Sequence, residues 1–159
     1  MQVDRIDRAI IAELSRDSRL SVRAVAERVH ISRTSANNRI RTLIENGVLK
    51  SFNAKVDRRA IGLEVTAIVI VTVGGQQPWP EIAAALTELP FVENVLAVSG
   101  DIDFVITVSA PDHDSLSAVI MQRIRAIPGV LTTRSHVVLD SRDGTAPGAT
   151  EQLWTFDPL

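Results

Sequence analysis

The hydrophobic period of this chain changes once, close to residue 60, and that change sets what it can fold into. Before it, apolar residues recur three and four apart, the spacing of amphipathic helices. After it, β-branched strand-like runs take turns with helical segments. Two periods build two kinds of layer, so 159 residues suit two small domains better than one. Charge divides at the same place. Residues 1–60 hold 13 Lys+Arg against 7 Asp+Glu, a balance of +6, and residues 61–159 hold 4 against 12, a balance of −8, which sum to the net −2. A basic module joined to an acidic one suits contact with a polyanion at one end only.

In the basic part, Asp4 stands ahead of Ile6, Ala9, Ile10, Ala12 and Leu14, which predicts an N-capped helix over about Arg5 to Ser15. Ser21 caps a second segment with Val22, Val25, Ala26 and Val29 on one stripe. Ser32 caps a third, whose inward positions are Ala36, Ile40, Leu43 and Ile44, and Gly47 ends it. The turn between the second and third is only His30-Ile31, the spacing of a helix-turn-helix. His30 falls where such turns carry a residue of positive φ, so it is read as turn chemistry and not as a base or a ligand.

The outward face of the third helix carries Arg33, Thr34, Ser35, Asn37, Asn38 and Arg41, with Ser32 at its start and no acidic residue from Val29 to Leu43. Arginine matches guanine edges, asparagine matches adenine edges, and hydroxyls match phosphates. A merely solvated face interleaves Glu with Arg in i,i+4 pairs. The face is therefore read as a major-groove reader of double-stranded DNA. Lys50 and Lys55 are placed on phosphates, along an extended wing or linker strand over residues 51–61.

In the acidic part, Val65 to Val73 reads as a strand, Pro80 to Leu89 as a helix, and Val92 to Ser99 and Phe104 to Ser109 as a hairpin around Gly100-Asp101-Ile102-Asp103. Asp114 is expected to cap a second helix running to Ile127, and Val130 to Leu139 forms the last strand. The order β-α-β-β-α-β predicts a ferredoxin-like antiparallel sheet with both helices on one face, so the chain as a whole is α+β. Ile68 and Ile70 leave the other face apolar, and a second copy in a two-fold dimer is the expected cover. Residues 141–159 read as a tail in which Trp154 packs on a neighbour.

Other classes fit poorly. With no cysteine, and with His30, His113 and His136 far apart, the sequence points to no metal and calls for no cofactor. The longest apolar run, Val65 to Val73, is about half of the ~20 residues a membrane helix needs, and no apolar signal core opens the chain, so the cytoplasm is the expected compartment. An enzyme built on Asp101 and Asp103 would lack tyrosine altogether and any lysine beyond Lys55. A sensing module acting on protein partners would leave the basic third without a role.

Several runs carry a family likeness: Val3-Asp4-Arg5-Ile6-Asp7-Arg8-Ala9-Ile10, Arg19-Leu20-Ser21, Ile31-Ser32, and Arg39-Ile40-Arg41-Thr42-Leu43-Ile44-Glu45-Asn46-Gly47-Val48-Leu49. To these the acidic part adds Gly100-Asp101-Ile102-Asp103 and Pro128-Gly129-Val130, followed by Thr133 and Ser135. Over residues 3–139 the chain resembles the Lrp/AsnC family, the leucine-responsive and feast/famine regulators. The resemblance implies a winged helix-turn-helix over residues 1–50 and a ferredoxin-like effector-binding and dimerisation domain over residues 62–140. It also implies homodimers that often assemble into octamers, and amino acids or related metabolites as effectors. Gly100, Asp101, Ile102 and Asp103 with Thr133 and Ser135 are the implied effector site, a carboxylate meeting an ammonium group and the hydroxyls supplying short hydrogen bonds. Two positions depart from the family pattern: Ile102 stands where an aromatic is usual, and His30 where glycine is usual. The expected function is a sequence-specific DNA-binding transcription regulator modulated by a small effector.

Overall fold

The computed structural model describes residues 2–75, 77–142 and 144. They form two compact units. One holds residues 2–55, with Arg142 and Gly144 grouped with it; the other runs from Val56 to Ser141.

The first unit has three helices, α1 (Arg5–Arg16), α2 (Val22–Val29) and α3 (Arg33–Glu45). Each begins at the side chain the sequence nominates. The Asp4 carboxylate accepts from the Asp7 N–H while Asp7 reaches back to the Asp4 N–H, a reciprocal cap that satisfies two donors otherwise left open. The Ser21 and Ser32 hydroxyls accept from Ala24 and Ser35. Inward stripes then meet around Ile10, Val25 and Leu43, which are fully buried, with Ile11 and Leu14 beside them. Ala26 and Ala36 are buried where small residues let the helices approach closely.

The second unit is a four-stranded sheet made of β1 (Val65–Val73), β2 (Val92–Ala97), β3 (Phe104–Ala110) and β4 (Val130–Val137), in the order β2-β3-β1-β4 with antiparallel neighbours. Helices α4 (Trp79–Thr87) and α5 (His113–Ala118) follow β1 and β3 in the chain. This is the ferredoxin-like arrangement. Ala67, Val69 and Val71 of β1 and Phe104, Ile106, Val108 and Ala110 of β3 are buried against Ile82 and Leu86 of α4 and Leu116 of α5. Truncating one such side chain to alanine costs about 2–5 kcal/mol, because the cavity does not close. The opposite face behaves differently. Ile68, Ile70 and Val105 are only half-buried there and Leu96 is half-exposed, with Thr107, Arg134 and His136 on the same side.

Ile44, read from the sequence as an inward position of α3, is instead exposed, because it falls on the side of Arg41 and Asn37, and three further details differ from the sequence expectation. Asp112, not Asp114, caps α5: its backbone is extended and its carboxylate accepts from the Ser115 N–H at 2.6 Å. A cap stands just outside the helix and accepts from an N–H two or three residues on, and Asp114 is already inside the first turn. Beyond α5 the helix does not run regularly to Ile127 but widens into a π turn (Val119–Arg123) and tightens into a 3-10 turn (Ile124–Ala126). Val119, Ile120 and Ile124 nonetheless stay buried. Finally, among the described residues no strand is formed at 51–61 within this chain. Residues 51–57 pair with no strand among the described residues, and the Asp57 carboxylate accepts from the N–H groups of Arg59 and Ala60, winding the chain into a 3-10 turn (Arg59–Ile61). The tail from residue 145, Trp154 included, lies outside the described residues.

Candidate nucleic-acid interface and ligand site

The geometry of α3 starts from the turn before it. His30 adopts φ 56°, ψ 46°, the left-handed region that side chains other than glycine rarely enter, and its N–H reaches the carbonyls of Ala26 and Glu27. The Ile31 N–H also bonds to Ala26, at 3.0 Å. These bonds end α2 and let α3 begin after only three intervening residues, which fixes the direction in which α3 presents its side chains.

On α3, Arg33, Thr34, Asn37, Asn38 and Arg41 are exposed, and Ser35 is half-buried. The hydroxyl of Ser32 accepts the Ser35 N–H, which leaves its O–H able to donate. Arg41 has a loose exposed contact of 3.7 Å with Glu45, a pair worth little and easily exchanged for another anion. The open N–H groups at the start of α3 add partial positive charge beside Arg33 and Thr34, and this favours an anion. Lys50 is exposed just past Leu49, whose N–H bonds to the Leu43 carbonyl and whose side chain packs on the helical core.

Sequence reasoning missed the role of the remaining arginine of this helix. Arg39 points inward, one guanidinium nitrogen donating to Asp4 and to the buried Asp7, each at 2.7 Å. Together with the Asp7 N–H, which contributes most, it holds the Asp4 carboxyl below its ordinary range. Arg39 thus fixes α3 to the N-terminus of α1 and leaves the outward face to the other polar residues. No local pattern marks it, because its partners lie 35 and 32 residues away.

At one end of the sheet, the loop after β2 returns to β3 through Gly100, whose φ of 134° needs glycine. The Val98 N–H bonds to the Asp103 carbonyl at 2.9 Å and the Asp103 N–H to the Val71 carbonyl at 3.1 Å. The Asp103 carboxylate accepts the Val73 N–H at 2.7 Å, so one of its oxygens is spent in holding the loop to β1. Asp101 is exposed, while Ile102 and Asp103 are half-buried. On the far side of β1, Thr133 pairs with Val71 and Ser135 with Val69. The loop and Thr133 therefore meet at the same end of the sheet, two strand spacings or roughly 10 Å apart, and Ser135 is set back by roughly 7 Å along the strand. Among the candidate carboxylates, Asp101 is the one whose oxygens no group of the described chain occupies.

A second link went unforeseen. Arg58, just ahead of the 3-10 turn, donates through Nε and one terminal nitrogen to both oxygens of Glu93, each at 2.5 Å, and this holds the Glu93 carboxyl below its ordinary range. Among the described residues no helix is long and apolar enough to cross a membrane.

Comparison with known proteins gives the same division. A winged helix-turn-helix DNA-binding family matches residues 3–50, and the Lrp/AsnC ligand binding domain matches residues 66–146. The chain is 30% identical over 143 residues to the HTH-type transcriptional regulator FL11 of Pyrococcus horikoshii, covering 90% of this chain and 93% of that protein. It is 29% identical over 140 residues to the leucine-responsive regulatory protein of Salmonella typhimurium, covering 87% and 85%. The crystal structure of the leucine response regulatory protein LrpA of Mycobacterium tuberculosis superposes with a TM-score of 0.79 at 30% identity, covering 89% of this chain and 95% of that one.

Proposed function

The chain belongs to the Lrp/AsnC family of DNA-binding transcription regulators, and from that premise we propose that α3 reads duplex DNA while the end of the sheet around Gly100 receives a small effector that modulates the reading. The observation that carries the first half is the outward face of α3. Arg33, Thr34, Asn37, Asn38 and Arg41 stand exposed on one rigid helix, and the one arginine turned inward is the one that locks the helix in place. Arginine and asparagine on that face reach base edges, while Ser32, Ser35 and Lys50 serve phosphates.

The effector is an amino acid or a closely related metabolite. The leucine-responsive relative supports that class, and the chemistry of the loop agrees with it. Asp101 is the free carboxylate for an ammonium group, and Asp103 shapes the loop through Val73. Thr133 offers a hydroxyl at the same end, and Ser135 is a more distant one. Gly100 keeps that approach open, since a side-chain carbon placed there would meet nothing within 4 Å. Ile102 supplies an apolar wall. The half-buried isoleucines of the open sheet face, Ile68 and Ile70, make a homodimer the basic assembly, with octamers as the higher form, working in the cytoplasm where DNA is found.

Two experiments test this reading. Genomic fragments enriched by the purified protein should share a motif. A thermal-shift screen of amino acids and keto acids should give a hit that Asp101→Ala abolishes and that leaves the oligomer intact. A ligand at a hundred times its Kd stabilises the fold by about 2.7 kcal/mol, enough to see. A hit that survives changes at both Asp101 and Thr133 would move the pocket elsewhere.

A further inference from the structure

The stretch that joins the two units is pinned to the sheet near its end. No side chain from residue 51 to residue 62 is buried, and Phe52, Val56 and Ile61 are 47%, 53% and 61% exposed. Apolar burial against the described residues therefore does not hold this stretch in place. Its turn is closed by local bonds, from the Arg59 and Ala60 N–H groups to Asp57 and from those of Ile61 and Leu63 to the Arg58 carbonyl. One short turn of that kind is marginal by itself in water. Arg58 carries it to the sheet, its guanidinium gripping both oxygens of Glu93, each at 2.5 Å.

The sheet is shaped to receive that grip. Val92 and Asn94 face consecutive residues of β3, Val108 and Thr107, so Glu93 is the extra residue of a bulge, a device that re-aims a side chain at a sheet edge. Arg58 first, and then the hydroxyl of the buried Ser109, hold the Glu93 carboxyl below its ordinary range. The Thr66 hydroxyl lies 2.8 Å from that of Ser109. Polar contacts thus run from the connector across β2 and β3 to β1. Exposed ion pairs contribute little as a rule, and the exception is this one, two parallel arginine–carboxylate bonds within a network.

The place of the pair decides how much chain separates the two units. Leu49 packs on the helical core, and Val65 begins β1. With Arg58 held, residues 50–57 lie between the anchors; with Arg58 released, residues 50–64 do, so eight residues become fifteen. At about 3.4 Å per residue the extended reach rises from about 27 Å to about 51 Å.

We propose that the Arg58–Glu93 pair is the tether that sets this connector length, and that the two are positioning residues for the spacing of half-sites that a dimer of this chain reads. The tether itself is independent of the function proposed above; its effect on spacing rests on that function. Short connectors confine the two reader helices to a narrow range of separations, and half-sites lie about 34 Å, or multiples of it, apart. Lengthening the connectors from eight to fifteen residues widens that range and dilutes the second helix about 2.5-fold, as the −3/2 power of length.

Full-length Arg58→Met, Glu93→Gln and the swapped pair Arg58→Glu with Glu93→Arg test this. Hydrogen exchange at Ile61, Gly62 and Leu63 should quicken roughly tenfold or more in each single variant and slow again in the swapped pair, with the mid-sheet amides of β1 and β3 unchanged. The DNA probes are a genomic duplex enriched by the protein, the same duplex with about one helical turn inserted between its half-sites, and a duplex with one half-site. The native protein should prefer the native spacing. Each single variant should lose about two- to threefold on it, lose less than the native protein on insertion, and equal the native protein on one half-site. The swapped pair should restore the preference, which a general loss of stability would not allow. Unchanged exchange in both single variants overturns the tether, as does a swapped pair that behaves like them. Faster exchange with an unaltered spacing preference overturns the role in spacing, and so does native protein that binds both spacings equally. Native protein that binds no sequence specifically refutes instead the reading by α3, and the exchange rates still decide the tether.

Discussion

Replacing Arg39 by methionine should destabilise the helical unit more than any other single surface-reaching change. Methionine keeps much of the length of the side chain but removes the donor shared by Asp4 and Asp7. Asp7 then holds a charge in a site where its side chain is only 4% exposed, with the Asp4 N–H as the remaining contact. Breaking a fully buried pair costs about 3–5 kcal/mol and an exposed one at most about 1. Arg39 is 29% exposed and Asp4 50%, so the value lies between, at about 2–3 kcal/mol. A unit of some fifty residues has only about 2.5–7.5 kcal/mol in total, and losing about 2–3 of it should make opening roughly 30 to 150 times more frequent. Hydrogen exchange on the α1 and α3 amides reads this unit without assuming that the whole chain unfolds in one step. Adding Asp7→Asn to Arg39→Met should recover at least half of the loss, because the uncompensated charge is gone. Exchange in Arg39→Met within a factor of two of the native rate would refute the argument that this network fixes α3.

Three further outcomes follow from particular side chains. Asp112→Ala should lower the stability of the sheet unit by about 0.5–2 kcal/mol in urea unfolding, while Asp114→Ala changes it by less than half of that, since only Asp112 meets the Ser115 N–H. At His30, glycine removes left-handed strain but adds about 0.5–1 kcal/mol of unfolded-chain entropy, so His30→Gly should be near neutral, whereas His30→Val, β-branched at φ 56°, should cost more than 1 kcal/mol by thermal melting. The Asp4 carboxyl is held below its ordinary 3.8 in the folded unit, so its contribution is present above that pH and is lost as pH falls through the lower folded value; α1 exchange should steepen only in strong acid, and Asp4→Asn should flatten that dependence.

Features written within a few residues of sequence were legible, and features joined across the chain were not. The caps Asp4, Ser21 and Ser32 could be read because each bonds an N–H three residues on. The left-handed turn at His30 followed from helix spacing on either side, and the order of strands and helices followed from hydrophobic period and turn residues. The Asp112 cap was missed by choosing the nearer-looking acid two residues later, a local error of offset. The inward turn of Arg39, the Arg58–Glu93 pair and the bond from Val73 to Asp103 each span 30 residues or more, and a single sequence carries no trace of such pairings. The last of these matters most for the ligand loop. Two aspartates two residues apart look equivalent on paper, yet one has an oxygen committed to β1 and the other faces solvent.

Nuclease footprinting on a fragment enriched from the genome decides whether the exposed face of α3 reads DNA. With Arg33, Asn37, Asn38 and Arg41 all changed to alanine, the fold should be retained, since all four are exposed, Arg33, Asn37 and Asn38 make no side-chain hydrogen bond or ion pair among the described residues, and Arg41 only its loose pair with Glu45. The footprint should disappear while weak salt-sensitive binding persists, each bidentate base contact being worth about 1–3 kcal/mol. An unchanged footprint with the four residues replaced would contradict it.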